Sequence, residues 1–224
     1  MKITAEQLYK KLVNDYKLVG QTGRITFTLK NITVKIETKD TVGNLIQEWL
    51  KSEKIDFQEN PQSQTFPDIF LDTTDHKKGL LEIKTFDFDR GPGFDLANFD
   101  SYSNSLLTNA YRIDSDYLIL AYQMTGSEIT IKNVWLKKIW ELAGGSSTYP
   151  LKVQEKKKVI YNIRPIIWFS ERSKFGAFKS KEEFLNALNE TRYQYSKTHH
   201  DNSHWLKSVI KNYKAHTGSS LEIK

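Results

Sequence analysis

Not one of the 224 residues is a cysteine. That absence excludes disulfides, thiolate zinc sites and a cysteine nucleophile, so any metal must rest on oxygen or imidazole ligands and a hard cation is the natural candidate. Long apolar runs are missing as well. None approaches the roughly 18 residues of a membrane-spanning helix, and the opening MKITAEQLYKKL has neither the apolar centre nor the cleavage site of a signal peptide. The expectation is a soluble, cytoplasmic protein. No internal repeat or low-complexity linker divides the chain, and a hydrophobic content of 38% supports one sizeable core. A single domain spanning residues 1–224 is expected.

Acidic residues are scarce except in one stretch. The net charge is +6, yet residues 56–100 hold ten Asp and Glu against four Lys and Arg. An acidic centre in a basic body suggests carboxylates that hold cations while the surroundings meet a polyanion such as nucleic acid.

Periodicity outlines the elements. TAEQLYKKLVNDY predicts a helix capped by Thr4, and DTVGNLIQEWLKSEK predicts another with Val42, Leu45, Ile46, Trp49 and Leu50 on one face and Glu48 outside it. RITFTL and ITVKIE read as strands joined around Lys30 and Asn31. DYLILAYQM and EITIKNVWL read as strands separated by TGS, and VIYNI and IIWF as two more. SKEEFLNALNETRYQY, capped by Ser180, and DNSHWLKSVIKNYKAH read as closing helices. Hairpins interleaved with helices make an α/β (α+β) fold, a mixed central sheet flanked by helices. The five tryptophans, Trp49, Trp135, Trp140, Trp168 and Trp205, are assigned to the core.

Within the acidic stretch, FPDIFLDTTDHKKGLLEIKTF places charge inside two apolar runs, at Asp68, Glu82 and Lys84. If DTTDHKKG turns the chain back near Asp75, Asp68 lies opposite Glu82. Strand alternation then puts Lys84 on the Glu82 face, with Leu81, Ile83, Ile69 and Leu71 on the other. Two carboxylates so close repel unless a positive charge lies between them. Asp68 and Glu82 are therefore candidate Mg²⁺ ligands. The cation can polarise a phosphate oxygen and activate water while Lys84 stabilises negative charge, which is a phosphodiesterase site.

Pro67-Asp68, thirteen residues, then Glu82-Ile83-Lys84 resembles the PD-(D/E)XK motif of restriction-endonuclease-like nucleases. In the EcoRV-like branch of that fold a glutamate on the preceding helix joins the active site, and Glu48 is the matching candidate. VGNLIQEWL, PDIFLD, LLEIKTF, PGFDLANFDSYS, DYLILAYQM and VWLKKIWEL, in that order, resemble type II restriction endonucleases of the NlaIV and NgoBV kind. The resemblance implies a homodimer that cuts double-stranded DNA with Mg²⁺, at GGNNCC with blunt ends, alongside a cognate DNA methyltransferase that protects the host. Two alternatives stay open: a repair or junction-resolving nuclease on the same fold, and a catalytically silent DNA-binding protein.

Candidate DNA contacts are Gln64 before the motif, Arg90 in DRGPGFD, and Arg172 and Lys174 in SERSKFG. Ordinary loop composition explains the same residues. Lys156 to Lys158 read as a solvated turn. His200 and His204 are spaced i, i+4 but lack a third ligand at recognisable spacing, which argues against zinc.

Overall fold

The computed structural model describes residues 3–35, 41–52, 56–61, 65–170, 174–199 and 202–223. They group into two compact units, residues 1–93 with 116–137, and residues 94–115 with 138–224.

The first unit opens with α1 (Ala5–Lys10). Thr4 accepts the Gln7 amide at 3.1 Å and Gln7 returns a bond to the Thr4 amide, so both orphan donors are satisfied. The helix loosens into a π turn over Lys11–Asp15. Next come β1 (Thr22–Arg24), then β2 (Thr26–Leu29) and β3 (Ile32–Lys35), which pair only with each other among the described residues. Lys30 and Asn31 both have positive φ, at 47° and 63°, which gives the two-residue turn a twist matching its strands. α2 (Val42–Ser52) buries Val42, Ile46 and Leu50. Its first turn approaches a strand so closely that a Cβ on Gly43 would lie 2.7 Å from Thr85 Oγ1.

β4 (Gln58–Glu59), β5 (Ile69–Phe70), β6 (Leu80–Asp87), β8 (Asp116–Thr125) and β9 (Glu128–Lys138) complete a six-stranded sheet in the order β1-β9-β8-β6-β5-β4. β5 and β6 are antiparallel, whereas β6 and β8 are parallel, so the sheet is mixed as expected. One face carries the core: Leu8 and Leu12 from the first helix and Val42, Ile46 and Leu50 from α2 pack with Ile69, Leu81, Ile83, Leu118 and Leu120.

In the second unit, β7 (Ala97–Asn98), β10 (Val153–Lys156) and β11 (Val159–Ile163) form a small sheet in the order β10-β11-β7. Lys157 and Lys158 make its exposed, positive-φ turn, as the lysine run suggested. α3 (Phe99–Ser105), the short α4 (Ile139–Leu142), α5 (Lys181–Gln194) and α6 (Asn202–Thr217) enclose Phe99, Tyr102, Phe184, Leu188, Trp205 and Val209. Two buried polar groups are tied down there: Trp205 Nε1 donates to the Ser103 carbonyl at 2.8 Å and Arg192 to Ser103 Oγ at 2.8 Å.

Two expectations need correction. Residues 166–169, IIWF, form no strand: Pro165 has no amide to donate and the segment runs on as irregular chain and turn. Trp49 is not core; it is 38% exposed, because the stripe of α2 that faces the sheet is Val42, Ile46 and Leu50, leaving Trp49 and Leu45 on its margin.

Candidate active site

The site begins with a turn. Asp72 Oδ1 accepts the amides of Thr74 and Asp75 at 2.9 and 3.0 Å and the Thr74 hydroxyl at 2.7 Å, folding DTTD back on itself. Gly79, at φ 62°, completes the reversal. A Cβ there would meet the Asp72 amide nitrogen at 2.8 Å, so the turn demands glycine. The strands it joins pair Ile69 with Leu81 and Phe70 with Leu80, and the Leu71 amide donates to the Gly79 carbonyl at 2.8 Å. That register, carried one residue past β5, sets Asp68 against Glu82.

Three charged side chains therefore converge. Lys84 Nζ lies 2.8 Å from Glu82 Oε1, the i, i+2 spacing that puts both on one face of β6. Asp68 Oδ2 accepts the Ile83 amide at 2.7 Å, which fixes the carboxylate at the start of β5. The Phe66–Pro67 peptide just before it is cis.

Glu82 is the unusual member. It is 8% exposed, and its Oε2 is buried without a hydrogen-bond partner. Burial pushes its carboxyl up to about 7, the Lys84 ammonium opposes that rise, and the Asp68 charge adds to it. Glu82 has a cross-strand neighbour that sequence reasoning missed. β6 and β8 align Glu82 with Tyr117, a residue 1% exposed whose ring lies 6.3 Å from that of Phe66. Only the parallel register between two distant segments sets Tyr117 beside Glu82 on the sheet.

A lone, enclosed carboxylate oxygen beside a second carboxylate suits a hard divalent cation. Among the described residues no cluster of three or more His, Asp or Glu could hold a metal. Asp68 and Glu82 would thus supply two ligand groups, and water or substrate oxygen the rest, a ligand set characteristic of Mg²⁺ at phosphate-processing sites.

The other candidates are carried by other elements of the chain. Glu48 sits on α2 with its side chain 69% exposed, paired with Lys51 Nζ at 3.0 Å. The same ammonium holds Glu59 of β4 at 2.9 Å, a link not foreseen from sequence. Arg90 occupies a turn after β6, its amide donating to the Asp87 carbonyl and its Nε 3.6 Å from Asp87 Oδ2. Lys174, in the second unit, holds its ammonium 5.4 Å from the centre of the Phe175 ring. Gln64, Arg172 and His200 lie outside the described residues.

The chain is similar to known restriction endonucleases along its whole length. The family model described as NgoBV restriction endonuclease matches residues 2–224. The type II restriction enzyme NlaIV of Neisseria lactamica is 37% identical over 229 aligned residues, covering 100% of this chain and 94% of that protein. The type II restriction enzyme NgoBV of Neisseria gonorrhoeae is 34% identical over 163 residues, covering 70% of this chain and 92% of its own. A solved structure of the NlaIV restriction endonuclease superposes with a TM-score of 0.95 at 37% identity, covering 100% of this chain and 94% of that one.

Proposed function

The chain belongs to the NgoBV restriction endonuclease family, and from that premise we propose that this type II restriction endonuclease hydrolyses double-stranded DNA at Asp68, Glu82 and Lys84. The match over residues 2–224 supports treating the whole chain as one endonuclease domain.

The observation that carries the site assignment is the buried, partnerless Oε2 of Glu82, beside Lys84 and across the register from Asp68. Lys84 and the Asp68 backbone compensate this buried carboxylate only in part, so a further cation would stabilise it. Asp68 and Glu82 would hold Mg²⁺, which when bound supplies Lewis acidity toward a phosphate oxygen and lowers the pKa of water. Asp68 is kept in place by the Ile83 amide, so its orientation is set before substrate arrives. Lys84 donates hydrogen bonds to the negative charge that grows on the phosphoryl oxygens and orients the attacking water. In-line attack forms the new P–O bond and breaks the bond to the 3′ oxygen, which takes up a proton, leaving 5′-phosphate and 3′-hydroxyl ends.

Glu48 is the proposed assistant in cation or water positioning, released from Lys51 when substrate binds. Arg90, Arg172, Lys174 and Gln64 are the proposed DNA contacts. A homodimer that cuts a palindrome, with GGNNCC and blunt ends as the specific target, a protecting DNA methyltransferase in the host and a cytoplasmic location complete the proposed reading.

Incubation of the full chain with unmethylated plasmid, with and without Mg²⁺, followed by sequencing of the fragment ends, tests this reading. Discrete blunt fragments ending at GGNNCC are expected. Fixed ends at another sequence would replace the target and keep the enzyme class, whereas cleavage only at junctions or mismatches would replace the class.

A further inference from the structure

Asp68 lies just ahead of β5 and is held from two directions. Its Oδ2 accepts the Ile83 amide, which fixes the end of the side chain. The backbone is held by a different residue. Glu59 of β4 pairs with Ile69 of β5, so Asn60, one position on, lies opposite Asp68, one position back. The Asn60 backbone amide donates to the Asp68 carbonyl at 3.2 Å. Its side-chain Nδ2 donates to the Pro67 carbonyl at 3.0 Å and to the Thr65 carbonyl at 3.3 Å.

The Pro67 and Asp68 carbonyls belong to the two peptide units that meet at the Asp68 Cα. Each unit is planar, so anchoring one carbonyl in each plane restrains φ and ψ of Asp68 together, and with them the direction in which its side chain leaves the chain. Asparagine suits this task. Both side-chain partners are carbonyl oxygens, which only accept, so the amide NH₂ must face them, and one nitrogen on a short arm supplies both hydrogens. Aspartate has the same shape but would turn an oxygen toward two oxygens, and alanine would supply no donor. Closing a loop explains the bond to Thr65; the bonds to Pro67 and Asp68 do more, because they bracket a residue of the proposed site.

We infer that Asn60 is a positioning residue for the hydrolysis: it clasps the backbone on both sides of Asp68 and so aims that carboxylate at the cation it would share with Glu82. The inference rests on the hydrolytic reading of Asp68, Glu82 and Lys84, and adds a residue that acts through Asp68 rather than on the reacting atoms. A ligand group has to be held within about 0.5 Å of its productive place by the residues behind it. Loosening the clasp therefore weakens cation binding, and the bond from Ile83 to the carboxylate loosens with it.

The test compares full-length wild type, Asn60→Asp, Asn60→Ala and Gln58→Ala. Gln58 lies on the same strand and its Oε1 meets His76 Nε2 at 2.8 Å, so its loss removes a β4 contact that leaves both flanks of Asp68 alone. In metal-free protein, hydrogen exchange of the Ile83 amide, followed by NMR, is expected to be at least about tenfold faster in Asn60→Asp and to rise less in Asn60→Ala. The Leu71 amide, which donates to the Gly79 carbonyl in the same hairpin, is expected to keep its wild-type protection. The Mg²⁺ concentration for half-maximal single-turnover cleavage, and that for half-maximal thermal stabilisation without DNA, are both expected to rise at least about tenfold in Asn60→Asp and to match wild type in Gln58→Ala. Circular dichroism checks folding, and Asn60→Ala carries the comparison on the same criteria if Asn60→Asp is unfolded. Equal acceleration of the Ile83 and Leu71 amides, or Mg²⁺ midpoints within about twofold of wild type, would overturn the inference. A wild type that cuts no DNA with Mg²⁺ would instead overturn the hydrolytic reading, and the Ile83 exchange, which needs no metal, would still decide the clasp.

Discussion

The Asp68 carboxylate reaches across its hairpin to the backbone amide of Ile83, accepting a hydrogen bond at 2.7 Å. The contact ties the first charged residue of the site to the strand that carries the other two. It also separates two roles of Asp68. Asp68→Asn keeps an oxygen that can accept the Ile83 amide, whereas Asp68→Ala orphans it. Denaturant melts are expected to show Asp68→Ala destabilised by about 1–3 kcal/mol and Asp68→Asn by less, while both lose cleavage by at least about a thousandfold. Cleavage by Asp68→Asn within tenfold of wild type would limit Asp68 to a structural role.

Glu82 makes metal-free stability depend on pH in a defined direction. Its folded value of about 7 stands above the ordinary 4.5. Below pH 4.5 the group is protonated in both states and costs nothing. Between about 4.5 and 7 the unfolded chain ionises first, so stability falls as pH rises, and above 7 the full cost of a buried charge remains, on the order of 3 kcal/mol. Glu82→Gln removes that dependence. Chemical denaturation in EDTA at pH 5 and pH 8 is expected to show Glu82→Gln gaining on wild type at the higher pH; a constant difference would contradict the assignment.

Mg²⁺ should reverse that cost by binding the folded state alone. The melting temperature of wild type at pH 8 is expected to rise with Mg²⁺ concentration, and those of Asp68→Asn and Glu82→Gln to stay flat. Equal shifts in all three proteins would place the cation elsewhere.

Glu48 is exposed and paired with Lys51, so Glu48→Ala is expected to change stability by no more than about 0.5 kcal/mol. Single-turnover cleavage is nevertheless expected to fall roughly tenfold or more if the residue assists the reaction. Glu59→Ala, which removes the other partner of Lys51, serves as the control and should cut at the wild-type rate. An unchanged rate in Glu48→Ala would remove it from the site.

Arg90 tests the DNA surface. Its side chain is 76% exposed on a turn, with Asp87 as a distant ion partner. Arg90→Ala is expected to weaken DNA binding across sequences and to lower the slope of log K against log salt by about 1, measured by fluorescence anisotropy in Ca²⁺. An unchanged slope would exclude a phosphate contact.

The sheet around the motif was legible in the sequence because its signals are local. A polar turn between two apolar runs fixes a register, and the pairing of Ile69 with Leu81 is the one that register requires. The lysine turn and the caps at Thr4 and Ser180 follow from chemistry within four residues. What depends on distant pairing was hidden. Tyr117, the cross-strand neighbour of Glu82, sits 35 residues along and is aligned only by the parallel β6–β8 ladder. Lys51 meets Glu59 through the placement of a two-residue strand that no period announces. Trp49 belongs to the helical stripe, yet the stripe is wider than the sheet face it covers. The β2–β3 register was legible as well: a two-residue turn at Lys30 and Asn31 pairs Phe27 with Val34 and Leu29 with Ile32.

The central claim is that Asp68, Glu82 and Lys84 form one cation-dependent hydrolytic site. Single-turnover cleavage of an unmethylated duplex by wild type, Glu82→Gln and Lys84→Ala, with DNA affinity measured in parallel in Ca²⁺, tests it most directly. The account predicts Mg²⁺-dependent cutting by wild type, losses of at least about a hundredfold in Lys84→Ala and more in Glu82→Gln, and affinities within about tenfold of wild type. Cleavage by either variant within tenfold of wild type would contradict it.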